Sequence, residues 1–593
     1  MSRNVSIISC KGYKYIRVCE SYRNAQGQPR SKVIENHGRL DAALAKDPDY
    51  VVKLKERVSR ENEAARAARF KALEDDAQTR IRRLQKTAGG EPDYSCVKPL
   101  NIGAALIRQV WKDLALPQVF RYLQSKSKIE YSYDKAAFLL SSERILHPGS
   151  KRNTFYGRDR SIVPFDEISD INVIYRVLDR LSQDKANIVR HLNREINKRL
   201  NRTVTAAFYD VTTYAFESRN ADELRNFGLS KDHKVNEVQV VLGLVMDEYG
   251  IPIDYDLFEG STSEFGTMLP MIKRIRHDYD LKKLVVVADR GLNSNENLQQ
   301  LRELRCDFVI AQKIKNCAEE QQAIVLDSAN WQSVLTDDDG VVISYKTLDV
   351  KKEIYETKIS PKTGRKYKVG KPIDELDVRW IVSYSRSRAK KDNSDIDRAV
   401  EKAQKALANG TNLLKARGYR SLIDIPKGEG TPKLDLEKIA EARKRAGYYA
   451  VCTNLKTQSS QDVMAIYRNL WRIEDCFRVS KSMLETRPCF VWTPEHIRGH
   501  FMSCYISLVL EKYMAHVLQS HSKNFTAEKI CRAMRTAIVV YDDDVQYPQY
   551  QRAYEAESGF DEMLRIFGLE PPLRREDKRS LSKKLRLKEI SAG

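Results

Sequence analysis

The hydrophobic and polar positions of this 593-residue chain change their period several times. Residues 5–39 alternate, as in Tyr13-Lys14-Tyr15-Ile16-Arg17-Val18 and Ser31-Lys32-Val33-Ile34, on either side of the turn-forming Asn24-Ala25-Gln26-Gly27-Gln28-Pro29. Period two about such a turn predicts a small β-hairpin module over residues 1–45. From about Asp47 to Thr87 charged residues mix with Ala and Leu, and no Pro follows Pro48. That pattern predicts a solvated helix or helix pair over 46–95, broken by Gly89-Gly90-Glu91-Pro92. Residues 96–202 carry helical spacing, as in Ile171–Leu200, interrupted at His147-Pro148-Gly149.

The order of elements then changes. Val204–Asp210, Glu237–Met246 and Ile251–Leu257 read as strands, the last two joined by Asp247-Glu248-Tyr249-Gly250. Gly266–Asp278 reads as a helix, Lys283–Asp289 as an apolar strand, Ser294–Leu304 as a helix and Asp307–Ala311 as a short strand. The order βββαβαβ is the ribonuclease-H-like arrangement, in which the first and fourth strands are neighbours. The expected fold is therefore α/β: a ribonuclease-H-like core over 203–314 and 446–520, interrupted by a β-rich insertion over 315–445. A mostly helical region precedes it. A C-terminal helical region with a basic tail, 521–593, follows.

Charge gives the helical region a use. Lys and Arg number 102 against 81 Asp and Glu, a formal net charge of +21. Such an excess suits a polyanion, because each phosphate neutralised releases condensed counterions. On that reading 96–202 is a DNA-binding domain in which Lys151 and Arg152, just after the helix break, contact DNA; a plain scaffold fits the same pattern. Within the insertion, residues 351–371 are strongly basic, and Lys362, Arg365 and Lys366 cluster at the hairpin tip Ser360-Pro361-Lys362-Thr363-Gly364-Arg365. A basic β-ribbon can lie along a DNA groove, and an exposed strand kept soluble by Lys would look alike. The ten cysteines form no C-x-x-C pair, which disfavours a disulfide framework or zinc ribbon. No apolar leader and no 18-residue apolar span is seen, so no membrane association and a cytoplasmic, nucleoid-associated location are expected.

Three carboxylates stand out against this background. Asp210 ends the run Val204–Tyr209, Asp289 ends Leu284–Ala288, and Glu474 lies on a charged amphipathic helix. Singly, each Asp reads equally as a turn residue, and Glu474 as half of an i,i+4 pair with Arg478. Together they are what a two-metal phosphodiester-cutting site needs: hard oxygen ligands for two Mg²⁺ ions that activate the attacking oxygen and stabilise the leaving one. On a continuous helix Tyr467 and Lys481 lie within about 20° of Glu474 and Arg478 about 40° away. These three groups are expected to hold the DNA phosphate. Leu470, Ile473, Phe477 and Leu484 form the buried stripe, and Asp475 is expected to face solvent. Asp254 and Asp256 are weaker ligand candidates. His496 and His500 share a helical face but lack the zinc-helix spacing. Tyr448 and Tyr449 read as core residues or as stacking partners for an unpaired base.

The stretch Tyr467-Arg468-Asn469-Leu470-Trp471-Arg472-Ile473-Glu474-Asp475-Cys476-Phe477-Arg478-Val479-Ser480-Lys481 resembles the Tyr-x2-Arg-x3-Glu-x6-Lys signature of cut-and-paste insertion-sequence DDE transposases. Tyr467, Glu474 and Lys481 fall in register, whereas Leu470 occupies the Arg slot. Phe208–Thr213, Val287–Gly291, Leu257–Glu264 and Ile497–His500 resemble other stretches of the family. The resemblance implies Mg²⁺ or Mn²⁺ dependence, terminal inverted-repeat and target DNA as substrates, and a homodimer in the DNA complex. It implies a transposase that cleaves and transfers DNA strands; a catalytically decayed relative that binds its ends and represses is the alternative.

Overall fold

The structure, a computed structural model, describes residues 2–10, 12–23, 29–65, 97–218, 220–228, 237–262, 266–279, 284–336, 342–359, 366–409, 419–426, 431–542, 549–555 and 558–591. It divides into two compact units, residues 1–96 and 97–593. In the first, Ser2–Cys10, Tyr13–Arg23 and Pro29–Arg39 form a three-stranded antiparallel sheet. The alternation at 13–18 and 31–34 therefore belongs to a sheet with one strand more than a hairpin. Gly12, at φ +82°, makes the tight link between the first two strands. Leu54 and Val58, on a helix over 50–65, cover Ile16 and Val18 on one sheet face. The remainder of the charged segment, 66–96, and most of the turn at 24–29 lie outside the described residues.

The second unit is built on a nine-stranded sheet. Its strands are β1 (Ala206–Ala215), β2 (Gln239–Met246), β3 (Pro252–Glu259), β4 (Val285–Ala288), β5 (Asp307–Gln312), β6 (Ser333–Thr336), β7 (Val342–Ile359), β8 (Lys366–Ser385) and β9 (Tyr448–Thr453). They lie in the order β6-β7-β8-β9-β5-β4-β1-β2-β3. Only the pairs β1–β4 and β4–β5 are parallel; the others are antiparallel. Of the described residues in the segment read as an insertion, only Ile423–Asp424 and Lys433–Leu434 pair apart from the central sheet. Its long strands β7 and β8 carry apolar residues (Val350, Ile354, Leu376, Val378, Trp380) that extend the buried surface of the central sheet through β9.

Strand alternation puts two cores on the two faces of this sheet. Ala207, Tyr209, Val211, Val286 and Ala288 face a core with α1 (Met268–Tyr279) and α2 (Asn295–Glu303). Phe208, Tyr214, Val240, Leu244 and Val287 face the other core, shared with α4 (Ser460–Arg468), α5 (Trp471–Arg478) and α6 (Pro494–His521). A further helix, α3 (Arg386–Ala408), runs directly on from β8. With both faces covered, β2 is buried along its whole length, which suits its unbroken apolar run.

Residues 96–202 form the helices Gly103–Asp113, Leu116–Ser125, Tyr133–Leu146, Lys151–Tyr156, Ile171–Gln183 and Lys185–Leu200. Helix α6 packs on Tyr133–Leu146 and Ile171–Gln183, so this region shares one core with the C-terminal part. The C-terminal region is not only helical. Ile538–Asp542 pairs with Val97–Asn101 and with Gln549–Arg552 in a four-stranded sheet. Its basic tail is partly folded, with Leu581, Leu585 and Ile590 buried.

Candidate active site

Asp210 and Asp289 meet across the parallel pair β1–β4. The register pairs Tyr209 with Ala288, and Asp289 follows at once in extended backbone (φ −76°, ψ 166°). Side-chain parity then places Asp210 with Phe208, and Asp289 with Val287, on the sheet face that packs against α4–α6. Asp210 does not end its strand, as the sequence suggested. The β-branched and aromatic run Val211-Thr212-Thr213-Tyr214 continues pairing with β2, and it is β4 that stops, opening the edge beside Asp210. The Asp210 carboxylate is half-buried and accepts from the Val211 amide at 2.7 Å; Asp289 is exposed.

The helix bearing Glu474 is broken into three pieces. After α4 the chain turns at Asn469-Leu470, runs through α5, and widens into a π-turn, Val479–Met483. Leu470, Ile473, Phe477 and Leu484 are buried as expected, and they seat α5 on β1 and β2. Glu474 is exposed and Tyr467 half-buried. Burial, the neighbouring Tyr449 and the negative charges of Asp289 and Glu474 push the Tyr467 phenol above its ordinary range. Tyr467 therefore sits where both carboxylates are felt. Lys481 lies with its ammonium 5.4 Å from the ring centre of Tyr214, which shares a face of β1 with Asp210. The Tyr214 hydroxyl is 2.8 Å from Ser480 Oγ, tying the π-turn to β1.

The donor set is chemically suited to a hard divalent cation: carboxylates at two adjacent strand positions and a third on the helix packed over them. Among the described residues, however, no three His, Cys, Asp or Glu side chains are gathered into a group that could hold a metal ion. Residues 230–510 match the transposase DDE domain family, and residues 6–68 match the N-terminal domain of IS1634 family transposases. Over these two segments the chain is similar to insertion-sequence transposases of the DDE type. The matched DDE segment contains Asp289 and Glu474, and Asp210 precedes it. Among solved structures, a piggyBac transposase synaptic complex with hairpin DNA, solved by cryo-EM, matches at 10% identity and a TM-score of 0.33, over 83% of this chain and 87% of that one. No curated protein matches.

Several residues singled out in the sequence are engaged elsewhere. Arg478 is held by Asp475 (2.7 Å) and Glu528 (3.2 Å), so its guanidinium is committed to carboxylates. Asp475 does not face solvent. It is half-buried against Lys512 Nζ at 2.6 Å, and although burial opposes it, Lys512 and Arg478 hold its carboxyl below the usual range. Arg472, earlier on α5, donates to the Tyr249 carbonyl at 3.2 Å. Lys151 is no DNA contact: it is 3% exposed, 3.0 Å from His500 Nδ1, and burial with the Arg144 charge pushes its amine down to about 7. Ser150 caps the helix and turns Lys151 inward. Arg152 is exposed over the Tyr156 ring. Lys362 and Arg365 lie outside the described residues, and Lys366 begins β8.

Asp254 and Asp256 are consumed by Arg274, at 2.8 and 2.6 Å. His496 pairs with Asp179, and His500 Nε2 donates to the Thr486 carbonyl, so neither is a ligand. Sequence reasoning missed two basic residues near Asp289, Arg290 and Arg388, whose charges both act on Tyr449. Arg290 follows Asp289 directly and was visible as Asp-Arg-Gly. Arg388 opens α3, some hundred residues further along, and only the β8–β9 pairing brings it near.

Proposed function

We propose that this protein is an insertion-sequence transposase that binds terminal inverted repeats and catalyses DNA strand cleavage and strand transfer. One observation carries the reading: Asp210 and Asp289 sit side by side where β4 ends, on the sheet face covered by the helix of Glu474. The strand order β3-β2-β1-β4-β5, with β1, β4 and β5 parallel, supports a ribonuclease-H-like core. Asp210, Asp289 and Glu474 would hold Mg²⁺ or Mn²⁺, two ions per site, which lower the pKa of a water and neutralise charge on the phosphate. Because the three are not gathered in the structure, Glu474 must swing toward the aspartates when DNA binds, which its exposed position permits. Tyr467 and Lys481 would hold the phosphate against that site. Water then attacks phosphorus at the element's end and releases a 3′-hydroxyl. This hydroxyl attacks a second phosphodiester in target DNA, forming one P–O bond as another breaks.

A homodimer is the proposed working unit on DNA, and a nucleoid-associated location follows from the substrate. The decayed-repressor alternative draws on Leu470, which is buried in the slot where the family signature has Arg. Purified protein decides between them on duplex carrying its own element ends. Cleavage with Mg²⁺ that EDTA stops, and that Asp210→Asn abolishes while DNA binding is retained, is the expected result. Full cleavage by Asp210→Asn would refute the site, and binding without any cleavage by the wild type would favour the repressor.

A further inference from the structure

Tyr449 and Tyr467 form a directed pair beside the second aspartate. Tyr449 is the second residue of β9, which runs antiparallel to β5, so it lies at the sheet end where β4 stops and Asp289 emerges. Its hydroxyl donates to the Tyr467 hydroxyl at 2.6 Å, with the rings 5.6 Å apart. A phenol has a single hydrogen. With its oxygen accepting from Tyr449, Tyr467 directs its own hydrogen elsewhere, into the region where the charges of Asp289 and Glu474 are felt. The opposite side of the pair is gripped as well: the Arg388 guanidinium lies 4.5 Å from the Tyr449 ring centre, with Nε 3.6 Å from Asp392. A cation over the ring draws electron density from it, strengthening the Tyr449 O–H as a donor and fixing the ring plane.

We infer that Tyr449, clamped by Arg388, is a positioning residue that aims the Tyr467 hydroxyl at the phosphate being cut. This rests on the transposase reading and adds to it a relay from α3 through β9 to α4. With the ring covered by Arg388 and the hydroxyl committed to Tyr467, Tyr449 serves the site through its neighbour, not by stacking on a base.

The test is a double-mutant cycle in full-length protein, reading single-turnover cleavage of end DNA with Mg²⁺ and DNA affinity side by side. Tyr449→Phe keeps the ring and removes only the donor. It should slow cleavage about tenfold at unchanged affinity, as one misdirected hydrogen bond implies. In the Tyr467→Phe background the same change should cost nothing further, because the group it aims is gone. Arg388→Ala, on the exposed start of α3, should slow cleavage less, and only while Tyr449 is present. Wild-type cleavage with Tyr449→Phe equally fast, or losses that multiply in the double variant, would overturn the inference. A wild type that binds its ends without cutting them would overturn the transposase reading and the inference with it.

Discussion

Lys151 shows how a residue's surroundings outweigh its type. A lysine after a helix break reads as a DNA contact, yet Ser150 caps the helix and directs Lys151 onto His500 in the core. Burial and Arg144 lower its amine from 10.5 to about 7. Between those values the unfolded chain binds the proton that the folded chain has lost, so this residue makes stability rise with pH from about 7 to 10.5. Lys151→Met should therefore gain most, relative to wild type, at pH 7 and below, and the gain should shrink steadily toward pH 10.5. Urea midpoints across that range check it, and a pH-independent difference would show that Lys151 keeps its proton in the fold. Asp289 illustrates the converse: its place at the end of Val285-Val286-Val287-Ala288 is set by strand length alone. Under the proposed function, Asp289→Asn should abolish cleavage without weakening DNA binding, read by gel shift beside a cleavage assay.

At the scale of elements, the proposed function makes the seat of α5 decide whether Glu474 can reach the aspartates. Lys512 on α6 bonds Asp475 at 2.6 Å and stands 3.5 Å from the fully buried Glu511. Removing the cation leaves Glu511 uncompensated in the core, so Lys512→Ala should cost about 3 kcal/mol of stability by denaturant titration. Glu511→Gln in the same chain should recover part of it. Helix α6 also meets Ile171–Gln183 at close range: a Cβ on Gly499 would lie 2.0 Å from the Leu178 carbonyl oxygen. Gly499→Ala forces these helices apart and should lower stability by about 1–3 kcal/mol. Neither contact was legible, because sequence periodicity reports which face of a helix is apolar and not which partner covers it. The same limit hid the break at Asn469-Leu470: helical spacing runs through 460–484 unbroken, and the turn is visible only in the backbone bonds of Leu470 and Arg472 to Tyr467 and Asn469.

Across the whole molecule, local order was readable and long-range closure was not. The βββαβαβ run was legible because turns, β-branched runs and amphipathic helices are short-range signals. That β7 and β8 join the same sheet depends on partners 64–74 residues apart, and the pairing of Val97–Asn101 with Ile538–Asp542 on partners 437–445 apart. The C-terminal residues are part of that closure. The Tyr550 hydroxyl donates to the Ser591 carbonyl at 2.6 Å, and Ser591 Oγ donates to the Ser161 carbonyl at 2.8 Å. A chain truncated after Leu573 should consequently melt at lower temperature, whereas a dispensable basic tail would leave the transition unchanged.

The account turns on whether residues 210, 289 and 474 share bound cations when DNA is present. Fe²⁺ put in place of Mg²⁺ in the protein–end-DNA complex, then exposed to peroxide and ascorbate, cuts the polypeptide next to wherever the metal is held. The predicted result is three cuts, beside Asp210, Asp289 and Glu474, all suppressed by excess Mg²⁺ and lost in Asp210→Asn. Cuts beside the two aspartates with none near Glu474, or no cuts at all, would contradict it.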